Sequence, residues 1–108
     1  MKTPKQILEQ YWGFSSFRPK QEEIIESLIN GLDTVALLPT GGGKSICFQI
    51  PAMATDGICI VVSPLVALMT DQVRSLKSKG IKALSISGGI SFTDLRVLLD
   101  NAIYGNYK

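Results

Sequence analysis

The chain has 108 residues, of which 11 are basic and 9 acidic, so its formal net charge is only +2. This length predicts one small domain, and a hydrophobic content of 45% is typical of a globular protein and excludes a disordered one. The charge balance neither requires nor excludes nucleic acid as a partner. Histidine is absent, which excludes a catalytic triad with an imidazole base.

The two cysteines, Cys47 and Cys59, lie in apolar surroundings and lack the spacing of metal ligands. They are therefore predicted to be buried free thiols in a reducing compartment. The first residues have no apolar core of a signal peptide, and no segment approaches the ~20 apolar residues of a membrane span. We expect an intracellular protein with no membrane partner.

The hydrophobic pattern predicts helices that alternate with short strands. Two helices come first, from Pro4 to Tyr11 and from Pro19 to the stop at Asn30-Gly31. Two continuous apolar runs then predict strands buried on both faces, a later segment predicts a third strand, and helical spacing predicts three further helices. The strands are 34–38, 58–62 and 82–86; the helices are 44–54, 65–79 and one that carries Leu95 to Ile103 on one face and stops near Gly105.

Strand and helix alternation of this kind predicts an α/β protein with a parallel sheet. The segment Leu38-Pro-Thr-Gly-Gly-Gly-Lys-Ser45 lies between the first strand and the third helix. Glycines let backbone N–H groups converge on a phosphate, and the helix that follows points its positive dipole end at the same anion. The segment therefore predicts a phosphate-binding loop, in which Lys44 contacts the β- and γ-phosphates and Ser45 binds Mg²⁺.

The loop departs from the general pattern G-x-x-x-x-G-K-[ST] at one position, where Leu38 stands in place of glycine. The structural alternative is a glycine-rich turn followed by a solvated lysine. The flanking strand and helix patterns favour a nucleotide site.

Two more segments accompany the loop. In Phe14-Ser-Ser-Phe-Arg-Pro-Lys-Gln21, the glutamine amide is able to read an adenine edge and the arginine to stack on a base; the alternative is a helix cap with an exposed arginine. In Val61-Val-Ser-Pro-Leu65, a strand end presents a hydroxyl and N–H groups where ligands gather in open α/β folds. The alternative there is an ordinary helix cap by Ser63.

Together these segments resemble the RecQ-type DNA helicases of superfamily 2. Residues 12–25, 38–52 and 61–73 are similar to the family's adenine motif, motif I and motif Ia, in that order, and the family's loop also lacks the first glycine. The resemblance implies a P-loop NTPase of RecA-like fold, a three-layer parallel sheet flanked by helices, here truncated. Residues 1–31 would hold the N-terminal helices with the adenine motif, and 32–108 part of the P-loop core.

The resemblance also implies a role for each matching residue. Gln21 would bond the adenine of ATP, with Phe14 and Arg18 against its faces. Thr40, Gly41, Gly42, Gly43 and Lys44 would bind the phosphates, Ser45 would bind Mg²⁺, and Ser63, Pro64 and Leu65 would contact single-stranded DNA. The implied activity is ATP-dependent 3′→5′ unwinding of forked DNA in repair and recombination, with a cytoplasmic, nucleoid-associated or nuclear location.

The carboxylate pair that such enzymes keep for Mg²⁺ and the attacking water is missing from these 108 residues, which contain no Asp-Glu sequence. The chain is therefore predicted to be the N-terminal part of a first motor domain, inactive alone and prone to self-association, with the remainder of the helicase as its partner. The alternatives are a small P-loop kinase and a stand-alone module that binds nucleotide or single-stranded DNA.

Overall fold

Five α-helices and one π-helical turn form the regular structure of the computed structural model, which describes residues 2–39 and 43–108. The chain divides into two units, one that ends at Cys59 and one that begins at Ile60. None of the helices in these ranges is long and apolar enough to cross a membrane. The elements are α1 (Pro4–Ile7), continued by the π-helical turn Leu8–Trp12, then α2 (Gln21–Ile29), α3 (Lys44–Ala54), α4 (Val66–Ser78) and α5 (Phe92–Tyr104).

The first helix begins with a capping box. The Thr3 hydroxyl accepts a hydrogen bond from the Gln6 N–H at 3.2 Å, and the Thr3 N–H donates to the Gln6 side chain at 2.8 Å. Pro4 follows in the first turn, where its missing N–H loses nothing. These local interactions confirm the helix predicted from Pro4, and Gly13 ends it in a left-handed conformation, φ 74°.

The second helix begins at Gln21 and not at Pro19, because Lys20 takes a left-handed conformation, φ 71°. It ends in a Schellman motif, in which Gly31 N–H bonds Leu28 C=O and Leu32 N–H bonds Ser27 C=O. The predicted stop at Asn30-Gly31 is thus confirmed. The third helix has the predicted bounds, 44–54.

The core of the first unit is the surface where α1, α2 and α3 meet. Ile25 and Ile50 are completely buried, and Leu8 is 1% exposed. Ile7 and Ala54 complete this cluster, and Trp12 and Phe17 are among the side chains that pack around it. Burial of one such aliphatic side chain contributes about 1.5–3 kcal/mol, so this cluster is what fixes α2 against α3.

The second unit contains α4 and α5 and has much less core. Neither helix has a buried residue, and Ile81 is the buried apolar side chain of this unit, 5% exposed. Ile81 follows the Schellman motif that ends α4 at Gly80, the stop predicted from the sequence. Ser91 caps α5 by accepting a hydrogen bond from the Asp94 N–H at 3.1 Å.

The predicted parallel sheet, and with it the α/β RecA-like architecture, is wrong for this chain. Within residues 2–39 and 43–108 there are helices and no strand. The apolar runs expected to be buried on both faces instead expose their side chains: Val35 is 90% exposed, Leu37 87%, Ile60 85% and Val62 92%.

The reason is that a strand exists only through pairing. A run of five apolar residues indicates that the segment tends to be buried. The hydrogen bonds that make it a strand of a sheet depend on partner strands elsewhere in the chain. In the described residues, the backbone bond from the third run is the one that Lys82 C=O accepts from Lys108 N–H, at 3.1 Å. That single bond does not make a ladder.

Leucine truncations distinguish this arrangement from a buried sheet. Leu8→Ala should lower the free energy of unfolding of the first unit by about 2–5 kcal/mol, because it opens a cavity in the core. Leu37→Ala removes the same atoms from an exposed run and should change it by less than about 0.5 kcal/mol. Urea unfolding followed by the fluorescence of Trp12, the single tryptophan, measures both. Equal losses would mean that residues 34–38 are buried.

Candidate nucleotide-binding site

Gln21 connects the beginning of α2 to the beginning of α3. It is the buried polar residue of the described chain, 2% exposed. Its Oε1 accepts a hydrogen bond from the Arg18 N–H at 2.9 Å, and its Nε2 donates one to the Gly43 carbonyl at 3.1 Å. Because a buried amide without partners costs about 1–3 kcal/mol, these bonds explain how the core tolerates it.

Gly43 must be glycine for two separate reasons. Its φ of 78° lies in the left-handed region, which side chains rarely adopt. A Cβ atom built on it would also clash with Nε2 of the buried Gln21 side chain. The buried glutamine therefore occupies the space that any side chain at position 43 would need.

Lys44 and Ser45 are the first two residues of α3, directly after Gly43. The first N–H groups of a helix have no partner within it, and the helix dipole makes this end positive. The first turn of α3 carries no acidic residue, so nothing there offsets that charge. Lys44 is exposed and Ser45 half-buried. This set of donors fits a phosphate group with its Mg²⁺.

Phe14 and Arg18 lie in the connector before α2. Phe14 follows Gly13 and is 52% exposed, so its ring is available for stacking. Arg18 is placed by its backbone bond to Gln21, and its Cδ lies 3.9 Å from a Cβ built on Gly43. The structure thus brings Arg18, Gln21 and Gly43 together. The predicted phosphate-binding residues Thr40, Gly41 and Gly42 lie outside the described residues.

Cys47 is a part of this site that sequence reasoning missed. Its thiol lies one turn along α3 and donates a hydrogen bond to the Gly43 carbonyl, with a distance of 3.7 Å between Sγ and the oxygen. Burial raises the pKa of this thiol, which keeps it protonated and able to donate. The sequence carried the signal, since residues four apart face each other on a helix.

A cleft of about 350 Å³ lies beside these residues in the first unit. Lys44 and Cys47 line it together with apolar side chains of α2 and α3, among them Ile24, Leu28 and Phe48. Lys44 is its single charged lining residue. A triphosphate needs several converging donors, so the apolar cleft itself does not suit one.

Ser63, Pro64 and Leu65, predicted to contact DNA, precede α4 in the second unit. The Ser63 hydroxyl accepts a hydrogen bond from the Leu65 N–H at 3.2 Å, which closes a local turn before α4. Leu65 is the N-cap residue of α4 and no side chain caps this helix, so the helix cap by Ser63 that the sequence offered as an alternative is not formed. Pro64 and Leu65 are exposed, and Leu65 is 60% exposed. The segment presents an apolar surface beside the start of a helix.

The family model for the DEAD/DEAH box helicase matches residues 18–103. This match covers most of the chain, from Arg18 through the loop to Ile103 in the last turn of α5, so the chain belongs to the DEAD/DEAH box helicase family.

Curated relatives confirm the resemblance to RecQ-type helicases. The chain is 54% identical over 78 residues to the probable ATP-dependent DNA helicase RecS of Bacillus subtilis, a match of 72% of this chain and 16% of the relative. It is 39% identical over 106 residues to the ATP-dependent DNA helicase RecQ of Haemophilus influenzae (98% and 17%). It is also 44% identical over 86 residues to the putative ATP-dependent RNA helicase R290 of Acanthamoeba polyphaga mimivirus (80% and 16%). The chain therefore spans about a sixth of the length of these relatives.

Two glycines with the same backbone angle test the contact between positions 21 and 43. Gly31 and Gly43 both have φ 78°, but a Cβ on Gly31 meets nothing within 4 Å. Gly31→Ala should destabilise the first unit by about 1–2 kcal/mol, the cost of the left-handed conformation alone. Gly43→Ala should cost at least about 1 kcal/mol more, because it also displaces the Gln21 amide from its hydrogen bonds. Urea unfolding gives both values, and equal costs would contradict the contact.

Proposed function

We propose that this chain is the ATP-binding portion of a RecQ-type DNA helicase, which couples ATP hydrolysis to 3′→5′ DNA unwinding in repair and recombination. The observation that carries the proposal is the junction of Arg18 and Gln21 with Gly43, directly before Lys44 and Ser45 at the start of α3. The residue types that would recognise a base and those that would recognise a phosphate meet at this point.

In this proposal each side chain has a role set by its chemistry. Lys44 contacts the β- and γ-phosphates as a flexible cation, and Ser45 provides an oxygen for Mg²⁺, which neutralises phosphate charge when bound. Phe14 and Arg18 stack on the adenine, and Gln21 offers an amide at its edge. The N–H groups at the start of α3 add donors that need no side chain.

The proposed second ligand is single-stranded or forked DNA, contacted at Ser63, Pro64 and Leu65. Backbone contacts of this kind position a strand without reading its sequence, as an enzyme that moves along any sequence requires. Support comes from the names of RecS and RecQ, while R290 is named an RNA helicase. A DNA role places the protein in the nucleoid or the nucleus.

We expect the 108 residues to bind ATP without turning it over, because they contain no Asp-Glu pair to hold Mg²⁺ and orient water. The rest of the helicase would supply those groups. The exposed apolar runs also favour association between copies of this chain, since uncharged apolar segments on the surface with a high tendency to form strands pair readily with one another.

Lys44→Ala tests nucleotide binding. Loss of a charged hydrogen-bond donor should weaken ATP binding by about tenfold or more, which corresponds to the 1.5–3 kcal/mol of such a bond. Isothermal titration of the chain with ATP and Mg²⁺ measures this. Lys5→Ala is the matched control, since Lys5 is an exposed lysine of α1 and its loss should leave the affinity unchanged.

The same proteins separate the competing functions. Weak binding to single-stranded DNA should remain in Lys44→Ala and should fall with added salt. Equal affinity for a matched RNA strand would favour the activity in the name of R290. DNA-stimulated phosphate release from the purified chain would contradict the expected lack of turnover, and phosphate transfer to a small acceptor would favour a kinase.

Val62→Lys tests self-association. Val62 is 92% exposed in an uncharged run, and a lysine there should oppose pairing between copies. In sedimentation velocity we expect the parent chain to form concentration-dependent oligomers and Val62→Lys to be shifted towards monomer. Thr93→Lys adds the same charge at an exposed site on α5 and should not shift the distribution. A parent chain that stays monomeric at all concentrations argues against the idea.

A further inference from the structure

We propose that Gln21 positions Gly43 and the start of α3, so that it affects the binding of phosphate groups even when no base is present. The proposal rests on the nucleotide site proposed above and adds a second role for a residue assigned to adenine. Gln21 would act through Gly43 and not by touching the phosphates. It is therefore a positioning residue.

Both ends of the Gln21 amide are hydrogen-bonded to backbone groups. Gln21 and Gly43 are 22 residues apart in the chain and are joined by the 3.1 Å bond from Nε2 to the Gly43 carbonyl. The other end of the amide holds Arg18 N–H at 2.9 Å, and the residue is 2% exposed. A group this buried does not reorient freely in solvent. In the chain without nucleotide, the amide is therefore committed to the backbone.

The geometry of the peptide bond links Gln21 to the backbone N–H of Lys44. The peptide between Gly43 and Lys44 is planar and trans, so its C=O and N–H point in opposite directions. A carbonyl held by Gln21 and Cys47 fixes the direction of the Lys44 N–H. That N–H belongs to the first residue of α3, where helix N–H groups have no partner within the helix itself. Gln21 thus orients a donor on which a phosphate would bind.

The side chain must be glutamine for this purpose. A single group has to accept from the Arg18 N–H and donate to the Gly43 carbonyl, and a glutamine amide does both. A glutamate of the same length accepts from Arg18 but has no proton for Gly43 when ionised. A methionine fills a similar volume and replaces neither bond.

The test compares ATP with inorganic tripolyphosphate, which carries the phosphates without a base. If Gln21 orients the start of α3, Gln21→Met should weaken the binding of tripolyphosphate by about tenfold and that of ATP by at least as much, with Mg²⁺ present. Gln21→Glu should do the same, because it loses the bond to Gly43. Gln10→Met, at an exposed glutamine in the π-helical turn, should leave both affinities unchanged.

A loss of affinity for ATP alone would overturn the proposal, since Gln21 would then act only on the base. Gln21→Glu with parent affinity for tripolyphosphate would overturn it equally. If the parent chain binds neither ligand, the proposed function fails. The positioning role of Gln21 is then decided by NMR of the chain without ligand. Circular dichroism confirms that each variant is folded.

NMR of the chain without ligand tests the two bonds separately. In Gln21→Met, the Arg18 amide should exchange faster and the Gly43 carbonyl ¹³C resonance should shift upfield, as each loses its partner. In Gln21→Glu, the Arg18 amide should stay protected while the Gly43 resonance still shifts. An unchanged Gly43 resonance in both variants would overturn the proposal whether or not a ligand binds.

Discussion

The packing of α2 against α3 is the constraint on which the first unit depends. Ile25 on α2 and Ile50 on α3 are completely buried, and the short first helix closes over them with Leu8. This contact between apolar faces fixes the positions of the first residues of α2 and α3 relative to each other. Because Gln21 is the first residue of α2 and Gly43 immediately precedes α3, the same packing brings them within hydrogen-bond distance. The polar site is thus a result of apolar burial at the ends of two helices.

The helices were predictable because their signals are local. Thr3 and Gln6 form a capping box within four residues of sequence, and Gly31 and Gly80 end helices in Schellman motifs that need only neighbouring carbonyls. The start of α2 at Gln21, two residues after the predicted start, depends on the left-handed Lys20, for which lysine gives no signal. Boundaries set by an unusual backbone angle are harder to predict from residue type.

The strands were not predictable in the same way. Val35 and Val62 belong to runs with the composition of buried strands, yet both are about nine-tenths exposed. Composition shows that a segment tends to form a strand when another strand is available to pair with it. It does not show whether the chain contains such a partner strand. In the candidate site, the residue types at positions 18, 21 and 43 to 45 were found from the motif. The bond between Gln21 and Gly43 came only from the coordinates, because it depends on the meeting of two helices. The bond from Cys47 to Gly43 lies within the first turn of α3, so its four-residue spacing was already present in the sequence.

The crowding of Gly43 by Gln21 makes the two positions interdependent in any family that shares this site. A side chain at 43 is excluded in part by the backbone angle and in part by the glutamine. Only the second restriction disappears when position 21 becomes small. Chains that have lost the glutamine should therefore accept alanine or serine at 43 more readily than chains that retain it. Among related chains, substitution of the glycine at position 43 should therefore come after substitution of the glutamine at position 21, and rarely before it.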